Sequence, residues 1–242
     1  MKHIVFDLGN VLLNINSDES IKKLSFITGA DSKTVLEIMI KTSEKSGYEK
    51  GFCSDSDFYY ASLKNLFKIR NNKSTTNTRA ITTFSSVQNK TENLAAFKKK
   101  LSFNLFYNLW NNIFTPNIEM FNIIAELAPK YSLTLLSNTN KMHFDFCINK
   151  WPILKMFENY VLSYNLGYIK PQREIYRYLI NTCLKTNPEN IIFFDDLEEN
   201  INAAKDTGIN AHVYSSPEDV KKKISDFIVN TPKLIYNKQE IK

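Results

Sequence analysis

Five short apolar runs punctuate the chain: His3–Phe6, Leu133–Leu136, Tyr160–Leu162, Ile191–Phe194 and Ala211–Tyr214. The first four break off at a polar residue, respectively Asp7, Ser137, Ser163 and Asp195. Runs this short, without alternation, suit strands buried on both faces of a parallel sheet. Amphipathic stretches lie between them. Ile118–Leu127 precedes the second run and Glu174–Leu184 the fourth, and Glu198–Lys205 is closed by Gly208 as a helix stop. Strand–helix alternation predicts an α/β fold with a doubly wound, Rossmann-like parallel sheet. Ligands meet such a sheet at the carboxyl ends of its strands, where Asp7, Ser137 and the Asp195-Asp196 pair fall.

Residues 17–116 break this rhythm. Ile21–Phe26, Val35–Ile40, Phe58–Phe67 and Phe103–Ile113 carry helical spacing, and no strand is read among them. The pattern predicts a helical insertion after the first strand, with the α/β core formed by residues 1–16 and 117–242. Within the insertion, Arg70–Asn93 is rich in Asn, Thr, Ser and Lys and reads as a long exposed or disordered loop. Its two N-x-[ST] matches, at Asn72 and Asn89, are chance hits if the chain is not exported.

Composition adds exclusions. The 242 residues are 43% hydrophobic and 23% charged, ordinary for a globular chain with a real core. The formal charge of +6 is dispersed over an Asn- and Lys-rich chain. Lys98–Lys100 and Lys221–Lys223 therefore read as solvated helix faces rather than a nucleic-acid surface. No run approaches the roughly 18 apolar residues of a membrane span. Asp7 interrupts the apolar Met1–Leu13 stretch and no small-residue cleavage site follows, so a cytoplasmic location is expected. Cys53, Cys147 and Cys183 lack CxxC spacing, which argues against a disulfide framework or a zinc site. Cys147 and Cys183 sit in apolar helical contexts and read as packing.

The strand ends carry the candidate chemistry. A carboxylate at Asp7 either caps the next element or serves as a nucleophile toward phosphorus. Gly9 allows a tight turn and close backbone approach. Ser137 and Asn138 read equally as a helix start or as donors to phosphate oxygens. Lys170, held before Pro171, can neutralise a phosphoryl group. Asp195 and Asp196 repel each other unless a cation relieves them, and hard oxygen donors of this kind suit Mg²⁺.

In order, each at a strand end with helices between, these segments resemble the haloacid dehalogenase superfamily over nearly the whole chain. The Asp-Leu-Gly-Asn-Val stretch at Asp7, Leu-Ser-Asn-Thr-Asn at Leu136 and Phe-Phe-Asp-Asp at Phe193 are similar to the α-D-glucose 1-phosphate phosphatase type. The phosphatase domain of soluble epoxide hydrolases is a more distant likeness. Glu49–Ser54 with Phe58 resembles the family's cap segment, and Trp110-Asn111 the return to the core. The resemblance implies a magnesium-dependent phosphatase acting on a small-molecule phosphate ester, with a sugar phosphate favoured. Asp7 would be the nucleophile. Asp7, the Gly9 carbonyl and Asp196 would hold Mg²⁺, with Asp195 orienting its neighbour. Ser137, Asn138 and Lys170 would hold the phosphoryl group.

Two positions depart from the family pattern. Gly9 stands where most of these phosphatases carry a second Asp as general acid and base, and Asn200 stands where many carry Asp. The Gly9 departure implies slow turnover of simple alkyl phosphates. A 2-haloacid dehalogenase, which needs no metal, and a non-catalytic binding protein are the competing readings. His143 either reaches a substrate sugar or makes an interdomain contact. Tyr48, Phe52 and Trp110 either line the cleft or pack.

Overall fold

The computed structural model describes residues 1–74 and 94–229. Among them are seven strands: β1 (His3–Phe6), β2 (Leu13–Ile15), β3 (Phe114–Pro116), β4 (Ser132–Ser137), β5 (Asn159–Leu162), β6 (Ile191–Asp195) and β7 (Asn210–Val213). Five form one parallel sheet in the order β5-β4-β1-β6-β7, as the alternation predicts. β1 is central: Phe6 is in register with Leu135 on one side and Phe194 on the other.

The insertion carries helices α1 (Asp18–Thr28), α2 (Ser32–Ser46), α3 (Asp55–Ser74), α4 (residues 94–100) and α5 (Phe103–Asn111). The remainder carries α6 (Ile118–Leu127), α7 (Lys141–Lys150), α8 (Ser163–Leu166), α9 (Arg173–Tyr178), α10 (Glu198–Lys205) and α11 (Pro217–Val229). The side chains of β1 alternate across the sheet. Ile4 and Phe6 pack with Met120 and Ile124 of α6 and Val220 and Ile224 of α11. Val5 faces the other layer, with Ile175 and Tyr176 of α9 and Ile201 and Ala204 of α10. Burial on both faces is why these strands show no alternation of apolar and polar positions.

A third apolar cluster lies within the insertion, around Val35, Met39, Tyr48, Phe58 and Phe106. Tyr48 stacks on Phe58 with centroids 4.2 Å apart, so Tyr48 is a packing residue. Met142 of α7 completes this cluster from outside the insertion.

Three expectations are corrected. A strand does occur near the end of the helical segment. β3 pairs antiparallel with β2, so both connections to the insertion run side by side through a two-stranded ribbon. Strands of three residues are too short to leave a periodicity. Residues 70–74 continue α3 rather than opening a loop, since no Gly or Pro interrupts them. The rest of the expected loop, residues 75–93, and with it Asn89, lies outside the described residues. The predicted helix Glu174–Leu184 is α9 followed by wider π-type turns over Leu179–Leu184. No helix among the described residues is long and apolar enough to cross a membrane.

Candidate active site

Four segments converge at the carboxyl edge of the sheet. Asp7 follows β1, and its amide donates to the Phe194 carbonyl of β6 at 2.9 Å, which sets it beside Asp195 at that strand's end. Ser137 is the last residue of β4 and is 2% exposed. Lys170 comes from the loop after α8 and reaches into the same point, 3% exposed.

Lys170 is the hub. Its Nζ donates to Asp195 Oδ2 at 2.5 Å and to the Leu136 carbonyl at 3.0 Å. It also lies 2.8 Å from Asp7 Oδ1, an ion pair without the angle of a directed hydrogen bond. The Lys170 backbone is held by the Asn138 side chain, which accepts from its amide at 2.7 Å and donates to its carbonyl at 2.9 Å. Asn138 thus positions Lys170, a role that sequence reasoning missed, because the two residues are 32 positions apart. The Lys170–Pro171 peptide bond is cis.

Asp195 is fully buried and its oxygens are engaged. Oδ2 takes Lys170, and Oδ1 accepts from the Leu197 amide and from Asn200 Nδ2, each at 2.9 Å. Asn200, which stands where many of the family carry Asp, is a buried donor that orients Asp195. A carboxylate there could not donate this bond while ionised. Asp196 is more open. Its Oδ2 accepts from Asn10 Nδ2 at 2.9 Å, and Asn10 has a left-handed φ of 52°. Asn tolerates that conformation better than most residues. Asn10 was also missed. Its sequence signal is the Gly9-Asn10 turn pair, but its target lies 186 positions away.

Burial is the larger influence on Asp7, and the neighbouring Asp195 adds to it. Lys170 only partly offsets them, so the Asp7 carboxyl is pushed up to about 6. Burial alone would lower the Lys170 ammonium, but Asp7 and Asp195 together hold it above its usual range. Ligand atoms of Asp7, Asp195 and Asp196 lie within 4.8 Å of one another. With Lys170 charged, three carboxylates and one ammonium leave a net charge of −2. A hard dication matches both that charge and the all-oxygen donor set. Asp195 has both oxygens engaged by donors, whereas Asp7 and Asp196 each meet a single side-chain donor and could still ligate. Gly9, the third expected ligand through its carbonyl, sits in the turn between Asp7 and Asn10.

A Cβ at Gly9 would stand 2.8 Å from Ile15 Cδ1 of β2. The space where a second Asp would start is filled by an isoleucine methyl. His143 is buried between Trp110, stacked at 4.9 Å, and Phe114, edge-on at 5.0 Å. Its Nε2 sits 3.0 Å from the Trp110 carbonyl and its Nδ1 3.0 Å from Asn140 Nδ2. A carbonyl only accepts, so Nε2 carries the proton and Nδ1 accepts. Burial pushes the imidazole down to about 4, opposed only by the Trp110 contact. His143 is a neutral contact between α5 and α7. Phe52 is largely exposed, and Cys147 is core, its thiol pushed up to about 12 by burial.

Residues 52–213 match the family described as haloacid dehalogenase-like hydrolase. The chain is 24% identical over 215 residues to a D-ribitol-5-phosphate phosphatase from Bacteroides thetaiotaomicron, covering 86% of this chain and 89% of that one. A HAD family enzyme from the same organism, solved with magnesium and inorganic phosphate, superposes with a TM-score of 0.60 at 20% identity, covering 89% of this chain and 94% of that one. A HAD-like hydrolase from Porphyromonas gingivalis superposes with a TM-score of 0.65 at 22% identity, covering 96% and 99%. With the family match spanning about two-thirds of its length, this chain belongs to the haloacid dehalogenase-like hydrolases.

Proposed function

We propose that this hydrolase is a magnesium-dependent phosphatase of small phosphorylated metabolites, with Asp7 as the nucleophile. The observation that carries the reading is the Asp7–Lys170–Asp195 chain with Asp196 beside it, a buried site whose net charge calls for a dication. Asp7 and Asp196, with the Gly9 carbonyl, would hold Mg²⁺. The ion would supply charge neutralisation to the phosphoryl oxygens. Asp7 attacks phosphorus in line, forming an Oδ–P bond as the ester oxygen leaves with its electron pair. Lys170 stabilises charge on the phosphoryl group, and Ser137 and the Asn138 amide hold its oxygens. Water then cleaves the aspartyl-phosphate, releasing inorganic phosphate and regenerating Asp7.

The helical segment 17–116 acts in this reading as a cap over the core of residues 1–16 and 117–242. Between the two lies a cavity of about 330 Å³, lined by Ser43, Glu44, Glu49, Trp110, His143 and Ile169. That is room for a small leaving group, with the Ser43, Glu44 and Glu49 side chains on an otherwise largely apolar wall available to its hydroxyls, and a sugar or polyol phosphate fits it. The name of the D-ribitol-5-phosphate phosphatase relative points the same way. None of the proposed catalytic residues lines this cavity, but Ile169, on its wall, adjoins Lys170; a larger hollow of about 700 Å³ between α1, α5 and α7 has no such neighbour of the site.

With p-nitrophenyl phosphate and Mg²⁺ the protein should release phosphate, and Asp7→Asn should lower the rate by at least about 10³-fold, the scale of losing a covalent nucleophile. Equal rates would remove Asp7 from the mechanism. EDTA should stop the reaction. Indifference to EDTA with turnover of a 2-haloacid would favour the dehalogenase reading instead.

A further inference from the structure

Ser163, the first residue of α8, is fully buried and touches no part of the proposed chemistry. Its hydroxyl nevertheless joins three segments. It accepts from the Thr139 amide at 3.0 Å, two residues beyond Ser137. It lies within donating distance of two carbonyls, Glu49 O at 2.6 Å and Thr139 O at 2.9 Å. A hydroxyl has one proton, so it serves one carbonyl at a time. Glu49 belongs to the helical insertion and Thr139 to the exit of β4.

The insertion side of this contact is tightly fitted. Gly51 has φ +71°, and a Cβ there would lie 2.0 Å from the Tyr164 carbonyl of α8. Only glycine lets this segment seat on α8. Beside it, the Phe52 ring covers Gly47 and Gly167.

We propose that Ser163 is a positioning residue that couples seating of the Glu49–Gly51 segment to the phosphate-holding exit of β4. Seated, Glu49 takes the Ser163 proton, and the hydroxyl lone pairs are turned to the Thr139 amide. Donating to Glu49 strengthens Ser163 as an acceptor for that amide. When Glu49 withdraws, the proton passes to the Thr139 carbonyl. The buried donor is therefore never left unpartnered, and release meets little resistance from this bond. The Ser137–Thr139 backbone is drawn into its binding geometry only when the segment is seated. The catalytic consequence rests on the phosphatase reading, but the coupling does not.

The test is amide hydrogen exchange at residues 137–140 in the full chain, for the wild type, Ser163→Ala, Gly51→Ala and the double variant. Gly51→Ala changes an exposed residue that touches none of residues 137–140. It should still speed exchange at Thr139, on the order of tenfold, as should Ser163→Ala. The double variant should exchange no faster than the faster single one. Unchanged exchange at 137–140 in Gly51→Ala, or additive effects in the double variant, would overturn the coupling. If Ser163→Ala does not fold, Gly51→Ala decides alone. With p-nitrophenyl phosphate, both single variants should lose kcat about tenfold with little change in KM. If the wild type shows no turnover, the phosphatase reading fails while the exchange result still decides this one.

Discussion

Asp7 is asked to be two things at once. Buried beside Asp195, it holds a proton up to about pH 6, yet a nucleophile must be ionised. The conflict is resolved if a cation takes the proton's place, and it sets a pH dependence with a definite sign. The Asp7 carboxyl titrates at about 6 in the fold against 3.8 ordinarily, so between those values the folded state binds more protons. In metal-free protein the stability contributed by this group is full below about pH 4 and is lost as pH rises to about 6. His143 has the opposite slope. Held at about 4 against 6.5, it adds stability above pH 6.5 that is lost as pH falls toward 4. Asp7→Asn removes the first slope and leaves the second, which denaturant titrations in EDTA at pH 4–7 can resolve. Since protons and Mg²⁺ compete for the same carboxylate, Mg²⁺ affinity should weaken about fivefold from pH 6 to pH 5. It should change little above pH 7. Calorimetric titration that finds no such pH dependence would mean that Asp7 is not a ligand.

At the scale of elements, β2 explains the departure at Gly9. Ile15, at the end of that three-residue strand, projects its methyl to within 2.8 Å of where a Gly9 side chain would begin. That methyl is the far end of a rotatable side chain on a half-exposed residue, so Gly9→Asp should fold with a small shift of Ile15. The new carboxyl would supply the missing acid. Its gain should be selective: about 10–10²-fold in kcat/KM on an alkyl phosphate, whose leaving group needs a proton, and little on p-nitrophenyl phosphate. Equal gains on both substrates would point to metal binding or packing instead. β2 also marks the limit of what was legible in advance. β1, β4 and β6 stand out in the sequence because burial on both faces makes them mostly apolar, without alternation. β2 has one buried residue, Leu13, followed by the exposed Asn14 and Ile15, and its partner strand lies some hundred residues away. The acids of the site could be read because they follow apolar runs, and the lysine because it stands before Pro171. Asn10, Asn138 and Asn200 could not be read as the groups that hold them. Asn10 and Asn138 act on distant residues, and an asparagine in a turn or helix has ordinary local uses.

For the molecule as a whole, the question is how the insertion's apolar cluster is joined to the sheet. Besides the β2–β3 ribbon, α7 supplies the seam: Met142 inserts into the cluster of Val35, Phe58 and Phe106, and His143 bonds the Trp110 carbonyl. The cluster is large enough to hold the insertion together, while the proposed metal ligands Asp7 and Asp196 lie on the sheet side. Met142 is 1% exposed, so Met142→Ala should cost about 2–5 kcal/mol, placed at the seam rather than within the sheet. A chain of this size shifts its melting temperature by about 2–4 °C per kcal/mol when it unfolds as one unit. Weakening the seam instead removes the coupling that makes it one unit, so scanning calorimetry of Met142→Ala should show two transitions where the wild type shows one. Mg²⁺ at about 100 times its dissociation constant adds about 2.7 kcal/mol to whatever it binds. In Met142→Ala that gain should raise only the transition of the sheet, and Asp196→Asn should abolish the rise. A single transition, lowered but still moved as a whole by Mg²⁺, would mean that the insertion has no stability of its own and folds only as part of the sheet.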